Sequence, residues 1–133
     1  MLATLPLRFG PGQDLREALE QVLAARGCDA AFVVAGIGSL SVTRVRLAGA
    51  AEPETIDGKV EILTLAGSIS SAGSHLHMSV ADAAGRVTGG HLAPGSIVRT
   101  TAEVLLVLLP EWSFSRVADP ATGYAELVVR PKP

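Results

Sequence analysis

Apolar residues recur at helical spacing only once in this chain, near its start. Between Asp14 and Gly27 they stand three and four positions apart, which is typical of an amphipathic helix. The residues of this stripe are Leu15, Ala18, Leu19, Val22 and Leu23. Asp14 is a favourable N-cap, Glu17 completes a capping-box-like pair, and Gly27 is a stop signal. The pattern predicts one helix.

Elsewhere the hydrophobic pattern indicates strands separated by turns. Apolar or alternating runs predict five strands, over residues 5–9, 31–38, 42–47, 59–69 and 124–130. The histidine-rich segment discussed below predicts a further hairpin. Residues 96–108 predict one long strand or two broken ones, and residues 48–57 a loop. We therefore expect an α+β fold in which one main helix packs on a mostly antiparallel sheet, formed by residues 1–133 as a single domain.

The only three histidines of the chain fall in one short window. His75 and His77 are two residues apart, so in a strand they share a face. The segment from Asp82 to Arg86 suits a three-residue hairpin loop, with Gly85 in the left-handed position. If Asp82 pairs with Arg86 at the end of the hairpin, the numbers of any two opposed residues add up to 168. His77 then lies opposite His91. Three imidazoles would then converge on one face.

Two alternatives would break this convergence. A two-residue loop would turn His91 to the other face, and Gly89–Gly90 could mark a bulge that shifts the register. If the register holds, three imidazoles with an open fourth position match a familiar zinc ligand set. Nickel, cobalt and iron also accept three nitrogens. The competing interpretation is that one or more of the histidines is purely structural.

Metal binding alone is not catalysis, because a metal-bound water needs a base or an orienting group nearby. Glu61 and Glu103 are the candidate catalytic residues, and solvated strand glutamates or ion pairs are the alternative for both. A small anionic ligand would need a cation, for which the candidates are Arg8, Arg46 and Arg99. For each arginine the alternative is a structural salt bridge.

Composition narrows the function classes. The net charge is −2 and only two of the 133 residues are lysines, which argues against nonspecific binding of nucleic acid. Aromatic residues make up 4%, so the core must consist of aliphatic side chains. Cys28 is the sole cysteine, which excludes an intrachain disulfide and favours a small buried hydrophobe. The chain shows no signal-peptide pattern, and its apolar runs are too short to span a membrane, so we expect a cytoplasmic protein.

Several segments, taken together, resemble the plants-and-prokaryotes conserved (PPC) domain. They include Gly36–Leu40, Gly58–Gly67, Gly73–His77, Gly85–Leu92 and Thr122–Leu127, in the expected order over nearly the whole chain. The resemblance implies a compact α+β homotrimer. Stand-alone prokaryotic members carry the three histidines and are often called DNA-binding by analogy with plant proteins. This chain lacks the plant AT-hook, and Lys59 and Val60 replace an Arg and a Phe of the plant partner-contact stretch.

Three hypotheses follow. The favoured one is a trimeric protein that binds a divalent metal, zinc first, through His75, His77 and His91, with a ligand-binding or regulatory role. The second is a metal-dependent hydrolase-like enzyme on the same scaffold. The third is a DNA-binding protein associated with transcription.

Overall fold

The computed structural model describes residues 3–133, which form one helix and eight strands in that range. In chain order these are β1 (Ala3–Phe9), α1 (Leu15–Ala25), β2 (Ala31–Arg46), β3 (Glu54–Ser70), β4 (Gly73–Asp82), β5 (Val87–Leu92), β6 (Ile97–Leu108), β7 (Trp112–Ala118) and β8 (Ala125–Pro131). No helix of the described range is long and apolar enough to cross a membrane.

The predicted helix is confirmed, together with its cap. The Glu17 amide donates a 3.1 Å hydrogen bond to Oδ1 of Asp14, which satisfies one of the free N–H groups of the first turn. The other carboxylate oxygen of Asp14 accepts a 2.7 Å bond from the Gly95 amide, just before β6. Leu15, Leu19 and Leu23 are buried on the inner side of the helix. The N-cap therefore also fixes where the helix sits on the sheet.

Six strands form one antiparallel sheet in the order β1-β6-β2-β3-β4-β5. The long strand β2 pairs with β3 on one side. On its other side it pairs first with β6 and then, at Val45 and Arg46, with the end of β5. Strands β2, β3, β4 and β5 thus close a small ring. The α+β class and the mainly antiparallel sheet are as predicted.

The two faces of the sheet differ. One face packs against α1 in a continuous aliphatic core, and half-buried Cys28 packs against its edge as a small hydrophobe. The other face is more open and carries the histidines. A separate two-stranded sheet of β7 and β8 lies against this open face, where Phe114 makes an edge-on contact with Phe32, with ring centroids 5.7 Å apart.

Some predicted boundaries were wrong. Residues 31–38 and 42–47 belong to one continuous strand, β2, whose pairing with β3 shifts between Leu40 and Val42. The predicted loop 48–57 ends early, because β3 begins at Glu54 and Ile56 already pairs with Thr43. For residues 96–108, the first of the two predicted alternatives is confirmed, because they form one long strand, β6. Strand β7 was not predicted at all.

Candidate metal centre

The hairpin that carries the histidines has the predicted register. His77 lies opposite His91, and in each further pair up to the turn the two residue numbers add up to 168, as predicted. The Asp82 amide donates to the Arg86 carbonyl oxygen at 2.9 Å, and Gly85 adopts a φ of 79°. Oδ1 of Asp82 accepts hydrogen bonds from the amides of Ala84 and Arg86 at 2.9 and 3.0 Å. The turn is therefore held by its own side chain, and Gly89–Gly90 introduces no shift between β4 and β5.

Three imidazoles meet on the open face of the sheet. One ligand nitrogen from each of His75, His77 and His91 lies within 4.8 Å of the others. The Nε2 atoms of His75 and His77 are 3.1 Å apart. A tetrahedral zinc ion with Zn–N bonds of about 2.0–2.1 Å places its ligand nitrogens roughly 3.3 Å apart. The distance between the His75 and His77 nitrogens is therefore close to that of two ligands on one metal ion.

The backbone of β2 orients His91. Nδ1 of His91 stands 3.3 Å from the carbonyl oxygen of Arg46, an acceptor, so this nitrogen carries the proton and donates. The other ring nitrogen, Nε2, is then the one with a free lone pair. A hydrogen bond of this kind, which fixes the tautomer and the ring orientation, accompanies almost every metal-binding histidine.

The electrostatic surroundings favour neutral His75. Partial burial lowers the pKa of His75 below its ordinary value of 6.5. Positive charge on three neighbours acts in the same direction, in the order His77, Arg116 and His91, while Glu126 opposes it. Since only the neutral ring binds a metal, this environment prepares His75 as a ligand near neutral pH.

The helix secures the backbone beside the site. Nη1 of Arg16 donates to the carbonyl oxygen of Leu92 at 3.0 Å, and Nη2 to that of Ser74 at 3.4 Å. Arg16 also pairs with Glu20 at 3.1 Å, and Oε1 of Glu20 accepts a 2.7 Å hydrogen bond from the Ser74 hydroxyl. Ser74 precedes His75 and Leu92 follows His91, so one ion pair holds both ends of the cluster.

The predicted catalytic candidates lie away from the histidines. Glu61 is exposed opposite Ala81, four residues along β4 from His77, which corresponds to roughly 13 Å. Glu103 pairs with Arg8 and Ile37 on strands β1 and β2. Within residues 3–133, the metal-ligand group contains no carboxylate. The structure therefore gives neither glutamate a place beside the candidate site.

Of the predicted anion-binding arginines, one lies at the site. Arg46 is paired with His91 across β2 and β5, although its Nη1 donates to the Ala50 carbonyl oxygen at 3.1 Å. Arg8 lies on the edge strand β1, and Arg99 lies on β6, which β2 and β3 separate from β4.

Two charged residues near the site were missed from the sequence. Arg116 on β7 and Glu126 on β8 both act on the pKa of His75. Nη2 of Arg116 donates to Oγ of Ser68 at 3.2 Å, and Ser68 pairs with His75 across β3 and β4. The alternation of the apolar residues Trp112 and Phe114 with Ser113 and Ser115 is the signal that could have revealed β7.

Fold and site together define a class: a strand-rich α+β domain with one capped helix and an outward-facing cluster of three histidines. The chain belongs to the Plants and Prokaryotes Conserved (PCC) domain family, whose profile matches residues 2–110. The β7–β8 sheet lies beyond the matched range.

A curated relative is the bifunctional protein GlmU of Synechococcus sp. (strain JA-2-3B'a(2-13)), which is 47% identical over 130 residues. The match covers 98% of this chain but 21% of the relative, so the chain spans about a fifth of that protein's length.

Solved structures share the whole fold. A hypothetical protein from Salmonella enterica is 33% identical, with a TM-score of 0.95 over 99% of this chain and 96% of its own. A metal-containing protein from Archaeoglobus fulgidus is 26% identical, with a TM-score of 0.77 over 95% and 93%. A protein from Ralstonia eutropha JMP134, proposed to bind DNA, is 25% identical, with a TM-score of 0.75 over 92% and 89%.

Proposed function

We propose that this chain is a metal-binding domain in which His75, His77 and His91 hold one divalent ion, with zinc as the first choice. The observation that carries the proposal is the convergence of the three ring nitrogens within 4.8 Å. Three protein ligands leave a coordination position open, unlike a structural zinc site with four. The role that fits an open position is ligand binding or regulation. The structural similarity to a metal-containing protein from Archaeoglobus fulgidus supports metal binding.

The test is the metal content of tag-free protein, measured by elemental mass spectrometry after incubation with zinc and removal of the excess. We expect close to one ion per chain in the wild type and loss of the metal in His77→Ala. Ser79→Ala is the matched control, because Ser79 shares the strand and face of His77 but offers no imidazole. A wild type without metal would refute the proposal.

We also propose that the domain is a homotrimer. Large apolar side chains remain exposed on β2, β3 and β6, namely Phe32, Val34, Ile37, Leu63 and Leu105. An apolar surface of this kind is typical of a protein–protein interface. Light scattering coupled to size exclusion should give a mass of about three chains for the wild type and a smaller mass for Ile37→Glu. A monomeric wild type would refute the trimer but would leave the metal proposal intact.

DNA binding is the second candidate, because structural neighbours are proposed to bind DNA. The net charge of −2 counts against a phosphate-driven interaction. Fluorescence anisotropy with duplex DNA at several salt concentrations decides the matter. An affinity that falls steeply with salt and ignores a chelator would favour this function over the metal-centred one.

A further inference from the structure

We propose that Arg116 forms the second half of the ligand site, so that the site takes a small anion with two acidic groups. One acidic group would bind at the metal and the other at the Arg116 guanidinium. This inference rests on the proposed metal function.

A row of paired residues across the open face places Arg116 at the site. Phe32 pairs with Ser68, and Ser68 pairs with His75, so these three side chains lie side by side on β2, β3 and β4. The β7–β8 sheet follows this row, with Phe114 against Phe32 and Arg116 against Ser68. The next position along the row is His75.

Arg116 has capacity for a ligand. Its one hydrogen bond to another side chain goes to the neutral hydroxyl of Ser68, and within residues 3–133 it makes no ion pair. A guanidinium has five N–H donors in a fork that matches a carboxylate or a phosphate. The side chain is half-buried, which reduces the screening of its charge by solvent.

The neighbouring charges allow an anion to approach. Glu126 is the nearby negative group, but it pairs with Val117 and so lies on the opposite face of the hairpin from Arg116, which pairs with Leu127. Its Oε1 already accepts a 2.9 Å hydrogen bond from the Thr122 hydroxyl. Arg46, beside His91, adds positive charge on the other side of the cluster.

The spacing argues for two acidic groups. Side chains paired across antiparallel strands have Cβ atoms roughly 5 Å apart, and Arg116 stands over Ser68 rather than over His75. One carboxylate could bridge the metal and the guanidinium only by giving one oxygen to each. A ligand with two acidic groups can cross this distance and present a complete carboxylate to the guanidinium, whose fork of N–H donors matches that group.

The experiment uses cobalt(II) in place of zinc, because its visible spectrum reports a change of ligand at the metal. Succinate, which has two carboxylates, and acetate, which has one, are titrated at constant ionic strength. We expect Arg116→Gln to weaken succinate binding about 10-fold or more, the usual effect of losing a hydrogen bond between charged groups, and to leave acetate nearly unchanged. Arg116→Lys should lie between the wild type and Arg116→Gln.

Arg130→Gln is the matched control, because it removes the same charge from β8 at an exposed position opposite Ser113. Circular dichroism and cobalt loading show whether each variant folds; if Arg116→Gln does not, the comparison of Arg116→Lys with wild type decides. Equal succinate affinities in the folded Arg116 variant, the wild type and Arg130→Gln would overturn the role of Arg116 while leaving the metal proposal intact. A wild type that binds no cobalt would overturn both.

Discussion

Arg16 on the helix donates a 3.0 Å hydrogen bond to the carbonyl oxygen of Leu92, the residue that follows His91. The two residues are 76 positions apart in the chain. Their hydrogen bond therefore joins α1, the only helix of the described range, to the histidine hairpin. The position of His91 is thereby tied to the hydrophobic core that α1 covers.

Loss of this contact should lower both the free energy of unfolding and the affinity for zinc. Arg16→Gln leaves the Leu92 and Ser74 carbonyl groups without their charged donor, so we expect the free energy of unfolding to fall by about 1–2 kcal/mol. Zinc affinity should fall about 10-fold, as is usual when a supporting contact is removed. Denaturant unfolding and competition with a zinc indicator measure the two effects. Arg26→Gln, at the exposed end of the same helix, should change neither quantity. If Arg26→Gln lowered stability and zinc affinity as much as Arg16→Gln, the effects could not be attributed to the Arg16 hydrogen bonds.

Adjacent glycines in β5 should respond differently to substitution. A Cβ at Gly90 would stand 2.5 Å from the carbonyl oxygen of Arg46 and 2.9 Å from a methyl group of Val45, so Gly90→Ala must push β5 away from β2. We expect a loss of about 1–3 kcal/mol in stability, together with reduced metal content. At Gly89 the nearest atom would be 3.4 Å away, and Gly89→Ala should stay within about 0.5 kcal/mol of wild type. Similar thermal melts for the two variants would contradict the close packing of β5 on β2.

The metal-free protein should lose stability in mild acid. The pKa of folded His75 lies below 6.5, so the unfolded chain binds more protons as the pH falls through and below that value. The free energy of unfolding contributed by His75 should therefore be constant well above pH 6.5 and decline as the pH falls through and below 6.5. Urea unfolding at a series of pH values in the presence of a chelator measures this dependence. His75→Gln should flatten the dependence of the free energy of unfolding on pH, whereas Ser79→Ala should keep the wild-type dependence. An unchanged slope in His75→Gln would show that another group causes the pH dependence.

Thr43 offers a test of the core beneath the sheet. Its side chain is fully buried on β2, and its hydroxyl has no hydrogen-bond partner within residues 3–133. Thr43→Val replaces this hydroxyl by a methyl group of similar size, so we expect stability to be unchanged or to rise by up to about 1 kcal/mol. Thr64→Val is the comparison, because the Thr64 hydroxyl shares a 2.7 Å hydrogen bond with Ser79. A destabilised Thr43→Val would reveal a hidden partner for the hydroxyl.

The histidine hairpin was predictable because its geometry is local. The turn chemistry of Asp82 and Gly85 sets the loop length, and the two-residue period of a strand then fixes which side chains share a face. The helix was predictable for the same reason, since its cap and apolar stripe are contiguous in the chain.

Contacts made by separate elements could not be predicted in this way. Arg116 reaches Ser68 across 48 positions, and only the docking of the β7–β8 sheet on the open face brings it near His75. Strand β7 itself was missed because serine and arginine interrupt its apolar residues. The proposed bases, Glu61 and Glu103, had suitable chemistry but lay on parts of the sheet that the strand order keeps away from the histidines.

The hairpin also has a consequence for the order of folding. All three histidines lie between residues 75 and 91, joined by one tight turn, and a hairpin of this kind closes within roughly 1–10 μs. The contacts from α1 and β2 come from distant parts of the chain, so we expect them to form later. A metal ion present during refolding would meet its complete ligand set before the rest of the domain is assembled, and would act as a nucleus that accelerates folding.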